Sequence, residues 1–399
     1  MCQRLPLACI VPPHILEKLL ESRDSRLRDA ALRTMLTSTQ IRAQRNILAL
    51  LPGATSTAGK HRTIFDARNS EPDPPRGTRV RGEGDGPVRD ATVNEAYDGL
   101  GATYDFYQQV FGRNSLDGNG MRLDGIVHYG DGFNNAFWDG QRMVFGDGDA
   151  QLFTSFTKSL DVIAHELTHG ITEFTAGLEY HKQPGALNES MSDVFGSLVK
   201  QWSRGQDAAT ADWLIGPEIF TPAVQGDALR SMKAPGEAYD NPVFGKDPQP
   251  RHMDDFQNLP DTRFGDNGGV HINSGIPNHA FYRAAIAIGG KAWDQAGHIW
   301  YVTLTQNCGS QTQFQEFAES TVGVAARLYG PSSVEQQAVR DAWRDVGIRV
   351  VAPGSIRPSV TVPAAYRDSD SLATLHARLD ELSRTVDQLA KKIQVPASV

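Results

Sequence analysis

Two histidines four positions apart, His165 and His169, stand in the segment LDVIAHELTHGITEF with Glu166 beside the first. On a helix, positions i and i+4 share a face, so both imidazoles can reach one metal ion while Glu166 approaches a metal-bound water. No proline interrupts the segment, and its apolar residues recur at helical spacing. Two imidazoles alone do not complete a metal site, so a third ligand decides the reading. Glu189, in GALNESMSDVFG, lies 20 positions beyond His169, room for a turn and the start of a second helix packed on the first. Two histidines and a carboxylate leave a fourth position for water, which a catalytic rather than a structural zinc requires. Asp193 follows Glu189 by four residues on the same helix face, where it can accept the second N–H of a zinc-bound histidine and fix its tautomer.

The elements that must position these residues are legible as changes of period. Residues 12–51 read as a helix, with Leu27, Ala31, Met35, Ile47 and Leu50 at spacings of three and four, stopped by Pro52-Gly53. Residues 53–90, rich in Gly, Pro, Arg and Asp, read as linker or exposed loops, and 94–111 return to helical periodicity. Between 117 and 149, Asp-Gly recurs between short apolar runs such as IVHY and RMVF, which predicts an antiparallel sheet. From about 155 the chain reads as mainly helical, with a Gly/Pro-rich interruption at 234–275. The expected class is α+β: a β-rich lobe with one long helix, then a helical lobe, both in one catalytic unit. In the tail, Leu372, Leu375, Leu379, Leu382, Val386, Leu389 and Ile393 form a heptad seam of about three repeats, suited to weak self-association through 371–393 or to docking as an amphipathic helix.

The bulk numbers bound the partners. A chain of 399 residues, 40% of them hydrophobic, points to two domains plus appendages. A net charge of −8 and a pI near 5.8 offer no basic surface for nucleic acid. Three cysteines, Cys2, Cys9 and Cys308, are too few for a disulfide scaffold. No stretch reaches the roughly 20 apolar residues of a membrane span. The start, MCQRLPLACIVPPHIL, is a poor match to a secretory signal, its apolar stretch being broken by Pro6 and Pro12-Pro13.

The segments HELTHGITEFTAGLEY and GALNESMSD, preceded by NNAFWDGQRMVFGDGD and followed by DNGGVHINSGIPNHAFY, resemble the thermolysin-like zinc metallopeptidases, over about residues 62–350. The IVPPHIL segment resembles the compact propeptide of the protealysin-like branch. The resemblance implies a two-lobe unit, with a propeptide at 1–61, a catalytic lobe at 62–180, a helical lobe at 181–350 and a linker with the heptad tail at 351–399. It implies one catalytic zinc on His165, His169 and Glu189, and Glu166 as the base that activates water. His271 and Tyr180 are then the donors to the developing oxyanion, with Asp266 orienting and charging His271. Asn135 and the backbone of Ala136 match the edge segment that pairs with an extended peptide. Arg230 matches the arginine that grips the carbonyl just after the cut bond. Phe153, Phe156, Val162 and Leu229 fall where the family builds the pocket for the following side chain, so a hydrophobic residue is expected there.

The resemblance implies a zinc-dependent neutral endopeptidase acting on peptide or protein substrates, made as a zymogen and inhibited by its own propeptide. The IVPPHIL segment is expected to plug the cleft by shape, the lesser alternative being Cys9 capping the zinc as a thiolate. The family implies secretion, while the poor signal match leaves a cytoplasmic location as the alternative. Asp161 and Asp212 match calcium ligands, but Lys200, Leu214 and Pro217 stand where thermolysin has acidic ones, so the double calcium site is expected to be lost. The Asp-Gly loops leave room for one weaker ion. The competing readings are a non-catalytic zinc module that binds peptides or builds an assembly, and a zinc hydrolase with a non-peptide substrate.

Overall fold

The computed structural model describes residues 9–48, 59–72 and 74–350. The heptad-patterned residues 371–393 lie outside the described residues.

The chain enters through two helices, α1 (Pro13–Leu20) and α2 (Ser25–Leu48). Pro13 occupies the first position of α1, where its missing N–H would have no helical partner. The single helix expected over 12–51 is thus divided at residues 21–24. There Ser22 Oγ accepts from Asp24 N at 3.2 Å and Asp24 Oδ1 from Arg26 N at 2.9 Å. Short polar side chains that capture backbone amides compete with helical hydrogen bonds, which ends one helix and starts the next. α1 buries Ile15, Leu16 and Leu19.

A five-stranded sheet comes next, built from β1 (Arg62–Asp66), β2 (Thr78–Gly82), β3 (Leu123–Val127), β4 (Ala136–Trp138) and β5 (Arg142–Phe145), in the order β2-β1-β3-β5-β4. Helix α3 (Ala91–Phe111) lies between β2 and β3 in the chain and is capped by Asp90, whose carboxylate accepts from Thr92 and Val93 N–H. The sheet is mixed: β1 pairs parallel with β3 and β3 with β5, whereas β4 and β5 are antiparallel. The antiparallel expectation for 117–149 therefore holds at one hairpin only. There Asp139 Oδ1 accepts from both Gln141 N and Arg142 N at 2.7 Å and closes the turn. Asp124-Gly125 lies inside β3 and the remaining Asp-Gly pairs serve loops, because the long crossover through α3 brings β3 in alongside β1 in the same direction. β4 is left at the sheet's edge.

Two central helices carry the metal-binding motif. α4 (Leu160–Glu173) and α5 (Lys182–Arg204) are buried around nearly their whole circumference, from Asp161 to Thr172 and from Pro184 to Gln201. They approach so closely at Gly196 that a Cβ there would lie 2.6 Å from the Asp161 carbonyl oxygen. This contact fixes the rotation of one helix against the other, and so sets Glu189 opposite His165 and His169.

Between α5 and the next helix lie two small ribbons, β6 (Leu214–Ile215) with β7 (Arg230–Ser231) and, inside the Gly/Pro-rich interruption, β8 (Asp240–Asn241) with β9 (Gly245–Lys246). Five helices complete the lobe: α6 (Asp266–Asn273), α7 (Gly275–Ile288), α8 (Gln295–Gln306), α9 (Phe314–Tyr329) and α10 (Val334–Asp345). Their core is aromatic, with Trp300 and Trp343 stacked at 6.1 Å and Phe281 edge-on to Trp300 at 5.0 Å. The fold is α+β in two lobes, a sheet region followed by a helical region.

Candidate active site

His165 and His169 project from one face of α4 with ring centroids 4.7 Å apart and Nε2 atoms 3.0 Å apart. Each ring is oriented from behind. His165 Nδ1 donates to Asp193 Oδ1 at 2.8 Å, and His169 Nδ1 lies 2.8 Å from Asn188 Oδ1 and 3.0 Å from Ser192 Oγ. With the Nδ1 protons engaged, both Nε2 lone pairs face a common point. Glu189 completes the group, its carboxylate oxygens 3.5 Å from each Nε2, and Glu189 Oε2 is buried without a hydrogen-bond partner. Three donors within 4.8 Å of one another form the group of this kind found among the described residues. Converging lone pairs beside a buried carboxylate repel one another unless a cation lies between them. The set therefore fits zinc, with His and carboxylate ligands and an open side.

Glu166 stands next to this group. Its Oε2 accepts from Trp138 N of the edge strand at 3.1 Å, while Oε1 is buried and has no hydrogen-bond partner. Burial pushes the Glu166 carboxyl up to about 8, against the pull of His165 and with the repulsion of Glu189. His165 shows the opposite balance. Burial would lower it, but the hydrogen bond to Asp193 and the negative charges of Asp193 and Glu189 raise it to about 9, and a bound divalent cation would displace that proton. Glu189 is held well below the usual carboxylate range: burial opposes this, and the charges of His271 and His169 prevail.

On the far side of Glu189, Tyr180 Oη donates to Glu189 Oε1 and lies 3.1 Å from His271 Nε2. His271 is gripped from behind by Asp266, whose Oδ1 is 2.6 Å from Nδ1 and whose Oδ2 accepts from the His271 amide at 2.8 Å. The bend between them uses Asp266, Asn267, Gly268 and Gly269, all with positive φ between 50° and 83°. Two consecutive glycines make such a left-handed run sterically accessible. Burial lowers His271, but the charges of Glu189 and Asp266 overcome it and hold the imidazole toward its protonated form.

Arg230, on β7, is 2% exposed and forks onto Asp193, with Nε to Oδ2 and Nη2 to Oδ1 both at 2.8 Å. Asn278 of α7 also donates to Asp193 Oδ2 at 2.8 Å. Asp193 thus holds His165 and Arg230 together, and despite its burial their charges keep its carboxyl down at about 2.

An extended stretch of the same chain lies across this group. Cys9 forms an antiparallel bridge with Phe137 on the edge strand β4. The Cys9 carbonyl accepts from His271 Nε2 at 3.0 Å. Ile10 N donates to the Ala136 carbonyl at 3.3 Å, and the Ile10 carbonyl accepts from Arg230 Nη1 at 3.0 Å. Val11 N donates to Asn135 Oδ1 at 3.0 Å. Ile10 is fully buried, and its side chain joins the main apolar core, to which Phe153, Phe156, Val162 and Leu229 also belong. The Cys9 side chain points elsewhere, into an apolar group with Ile126, Tyr129, Phe133 and Phe137. Against the thiolate alternative, it is therefore the carbonyl of Cys9 that faces His271, while its thiol belongs to the aromatic pocket.

His165, His169, Glu189, Glu166, Tyr180, His271, Asp266, Asp193, Arg230, Asn135 and Ala136 meet around this stretch, while Phe153, Phe156, Val162 and Leu229 belong to the protein's main apolar core. Sequence reasoning missed Asn188, Ser192 and Asn278, which orient His169 and Asp193. Asn188 and Ser192 bracket Glu189 on α5 and could have been sought there, whereas Asn278 carries no local signal. At the matched calcium positions, Lys200 Nζ lies 2.7 Å from Asp161 Oδ2, 2.7 Å from the Leu214 carbonyl and 3.0 Å from Asp212 Oδ1, so an ammonium sits among those oxygens.

The same architecture recurs in known proteins. Residues 60–173 match the thermolysin metallopeptidase catalytic domain, and residues 176–348 match the alpha-helical domain of the same peptidases. An extracellular metalloprotease of Pectobacterium carotovorum subsp. carotovorum is 47% identical over 347 residues, covering 86% of this chain and 97% of the relative. Protease PrtS of Photorhabdus sp. (strain Az29) is 47% identical over 348 residues, covering 86% and 92%. The solved precursor of protealysin, a metalloproteinase from Serratia proteamaculans, superposes with a TM-score of 0.76 at 48% identity, covering 86% of this chain and 99% of that one. With a zinc-competent His-His-Glu group in a fold matched over both of its lobes, the chain belongs to the thermolysin metallopeptidase family and is a zinc metalloendopeptidase.

Proposed function

We propose that the chain is the zymogen of a secreted neutral endopeptidase that cuts before hydrophobic residues, with residues 1–61 as its inhibitory propeptide. The observation that carries this reading is the course of Cys9–Val11, an extended peptide held by the groups that would hold a substrate. The extracellular metalloprotease from Pectobacterium supports secretion, and the precursor form of the protealysin structure supports a propeptide.

His165, His169 and Glu189 would hold one zinc, which when bound supplies Lewis acidity and brings the pKa of its water to about 7. Glu166 takes the proton of the attacking water through its free Oε1 and delivers it to the leaving amine. His271 and Tyr180 donate to the carbonyl oxygen as negative charge builds on it, and Asp266 keeps His271 charged and oriented. Ala136 and Asn135 fix the strand, and Arg230, held by Asp193, fixes the carbonyl after the cut. Phe153, Phe156, Val162 and Leu229 receive the following side chain, and the full burial of Ile10, whose carbonyl Arg230 holds, supports an apolar preference. The calcium pair is replaced by the Lys200 ion pairs.

A purely binding role is disfavoured, because metal donors, base and oxyanion donors are all present around one cleft. The test is hydrolysis of casein and of short peptides by the activated enzyme, with and without a zinc chelator. Chelation should abolish cleavage and zinc should restore it, and Leu or Phe after the cut should outperform Asp or Gly. Chelator-resistant hydrolysis would contradict the proposal.

A further inference from the structure

We propose, resting on the function given above, that the peptide bond between Cys9 and Ile10 is a substrate of the cleft it occupies. The full-length chain then cuts off its own residues 1–9 while the remaining segment keeps the cleft covered. This cut is separate from the one that removes the propeptide, residues 1–61, from the mature enzyme.

Direction and register single out this bond. A peptide that ran the other way along β4, or sat one residue along, would present no bond to the reacting groups. Here the segment pairs antiparallel with the edge strand. The carbonyl on one side of the bond, that of Cys9, faces the His271 donor at 3.0 Å. The amide on the other side, that of Ile10, donates to the Ala136 carbonyl. The next carbonyl is on Arg230, the next amide is on Asn135, and the side chain after the bond is buried among apolar residues. Contacts on both sides thus agree on a single bond. Glu166, buried beside the metal donors with an unengaged Oε1, is available to it.

In the reaction, a water oxygen adds to the Cys9 carbonyl carbon and Glu166 takes the water's proton. The carbon–nitrogen bond to Ile10 breaks, and that proton passes to the Ile10 nitrogen. One water is consumed: its second proton leaves the new carboxyl for the same nitrogen, so that Cys9 ends as a carboxylate and Ile10 as an ammonium. The segment from Ile10 onward stays anchored without residues 1–9. The Ile10 carbonyl keeps Arg230, Val11 keeps Asn135, and α1 keeps Ile15, Leu16 and Leu19 buried with His14 on Tyr239 at 2.8 Å. The product is therefore a nicked chain that is still latent.

The test uses the full-length chain prepared under chelation and followed by intact mass after zinc addition. The expected result is loss of residues 1–9 with Ile10 as the new terminus, at a rate unchanged by dilution, before added peptide is hydrolysed. Glu166→Gln and Ile10→Asp should each abolish the nick. A readout independent of turnover is amide hydrogen exchange on the metal-free chain, where Ile10 and Val11 should be protected well beyond an exposed strand. The proposal is overturned if those amides exchange freely, or if the cut accelerates with concentration. It is also overturned if the Cys9–Ile10 bond survives in a preparation that, once activated, hydrolyses added peptide. Failure of both cuts overturns the proposed function together with this inference.

Discussion

Replacing His271 with Ala in the activated enzyme removes one hydrogen-bond donor from the position where carbonyl charge develops. The Nε2 donor lies 3.0 Å from a carbonyl oxygen already seated in the cleft, and Tyr180, 3.1 Å from that nitrogen, would remain. Loss of one such donor costs about 2.7–4 kcal/mol, a fall in kcat of about 10²–10³. KM should change little, because the ground-state carbonyl carries little charge. Asp266→Asn provides the internal control. It keeps a side chain of the same shape but removes the charge behind His271, where Asp266 Oδ1 lies at 2.6 Å. The difference between a charged and a neutral hydrogen bond is about 1–1.5 kcal/mol, so the loss should be roughly tenfold. Steady-state kinetics on a chromogenic peptide separate the two parameters. A rise in KM alone, or a larger loss for Asp266→Asn than for His271→Ala, would refute the oxyanion role.

Lys200→Met should destabilise the chain by about 3–5 kcal/mol, since it leaves Asp161 buried without its cation. Thermal unfolding should then fall by about 4–7 °C, whereas calcium chelation should leave the parent chain unmoved. A calcium-dependent Tm in the parent would contradict the replacement of the calcium pair by Lys200. His14 is held by burial down to about 4, with Asp266 opposing this and His271 and Arg230 adding to it. Its folded pKa lies below the unfolded value of about 6.5, so docking of α1 should weaken as pH falls from 6.5 toward 4, by about 3 kcal/mol in full. Limited proteolysis of the segment before residue 60 across that window checks this, and unchanged resistance would contradict it. Cutting the chain after Pro353 should leave peptide cleavage nearly unchanged, and a fall in the number of chains per particle in solution would assign self-association to the 371–393 seam.

The metal donors were legible because their spacing is local. His165 and His169 share a helix face by number alone, and Glu189 comes within one turn and one helix of them. The helical lobe was readable for the same reason, since a 3.6-residue period needs no knowledge of partners. Strand direction was not: Asp-Gly pairs signal turns, but the parallel pairing of β1 with β3 depends on a crossover that no local pattern encodes. Nor could the sequence show that Ile10 meets Arg230 across 220 positions, or that Asp193 would serve both His165 and Arg230. Such contacts arise when distant elements pack. The broken helix at 21–24 was open to discovery, because Ser22 and Asp24 are residues that compete with helical hydrogen bonds.

The most direct test of the account is Glu166→Gln in the activated enzyme, with bound zinc and hydrolysis measured on one preparation. Glu166 donates no metal bond, its Oε2 being engaged by Trp138 N, and its amide replacement cannot accept a proton from water. The variant should hold one zinc per chain, as the parent does, while kcat on peptides drops by about 10²–10⁴. Zinc bound as in the parent with undiminished hydrolysis would contradict the assignment of Glu166 as the base.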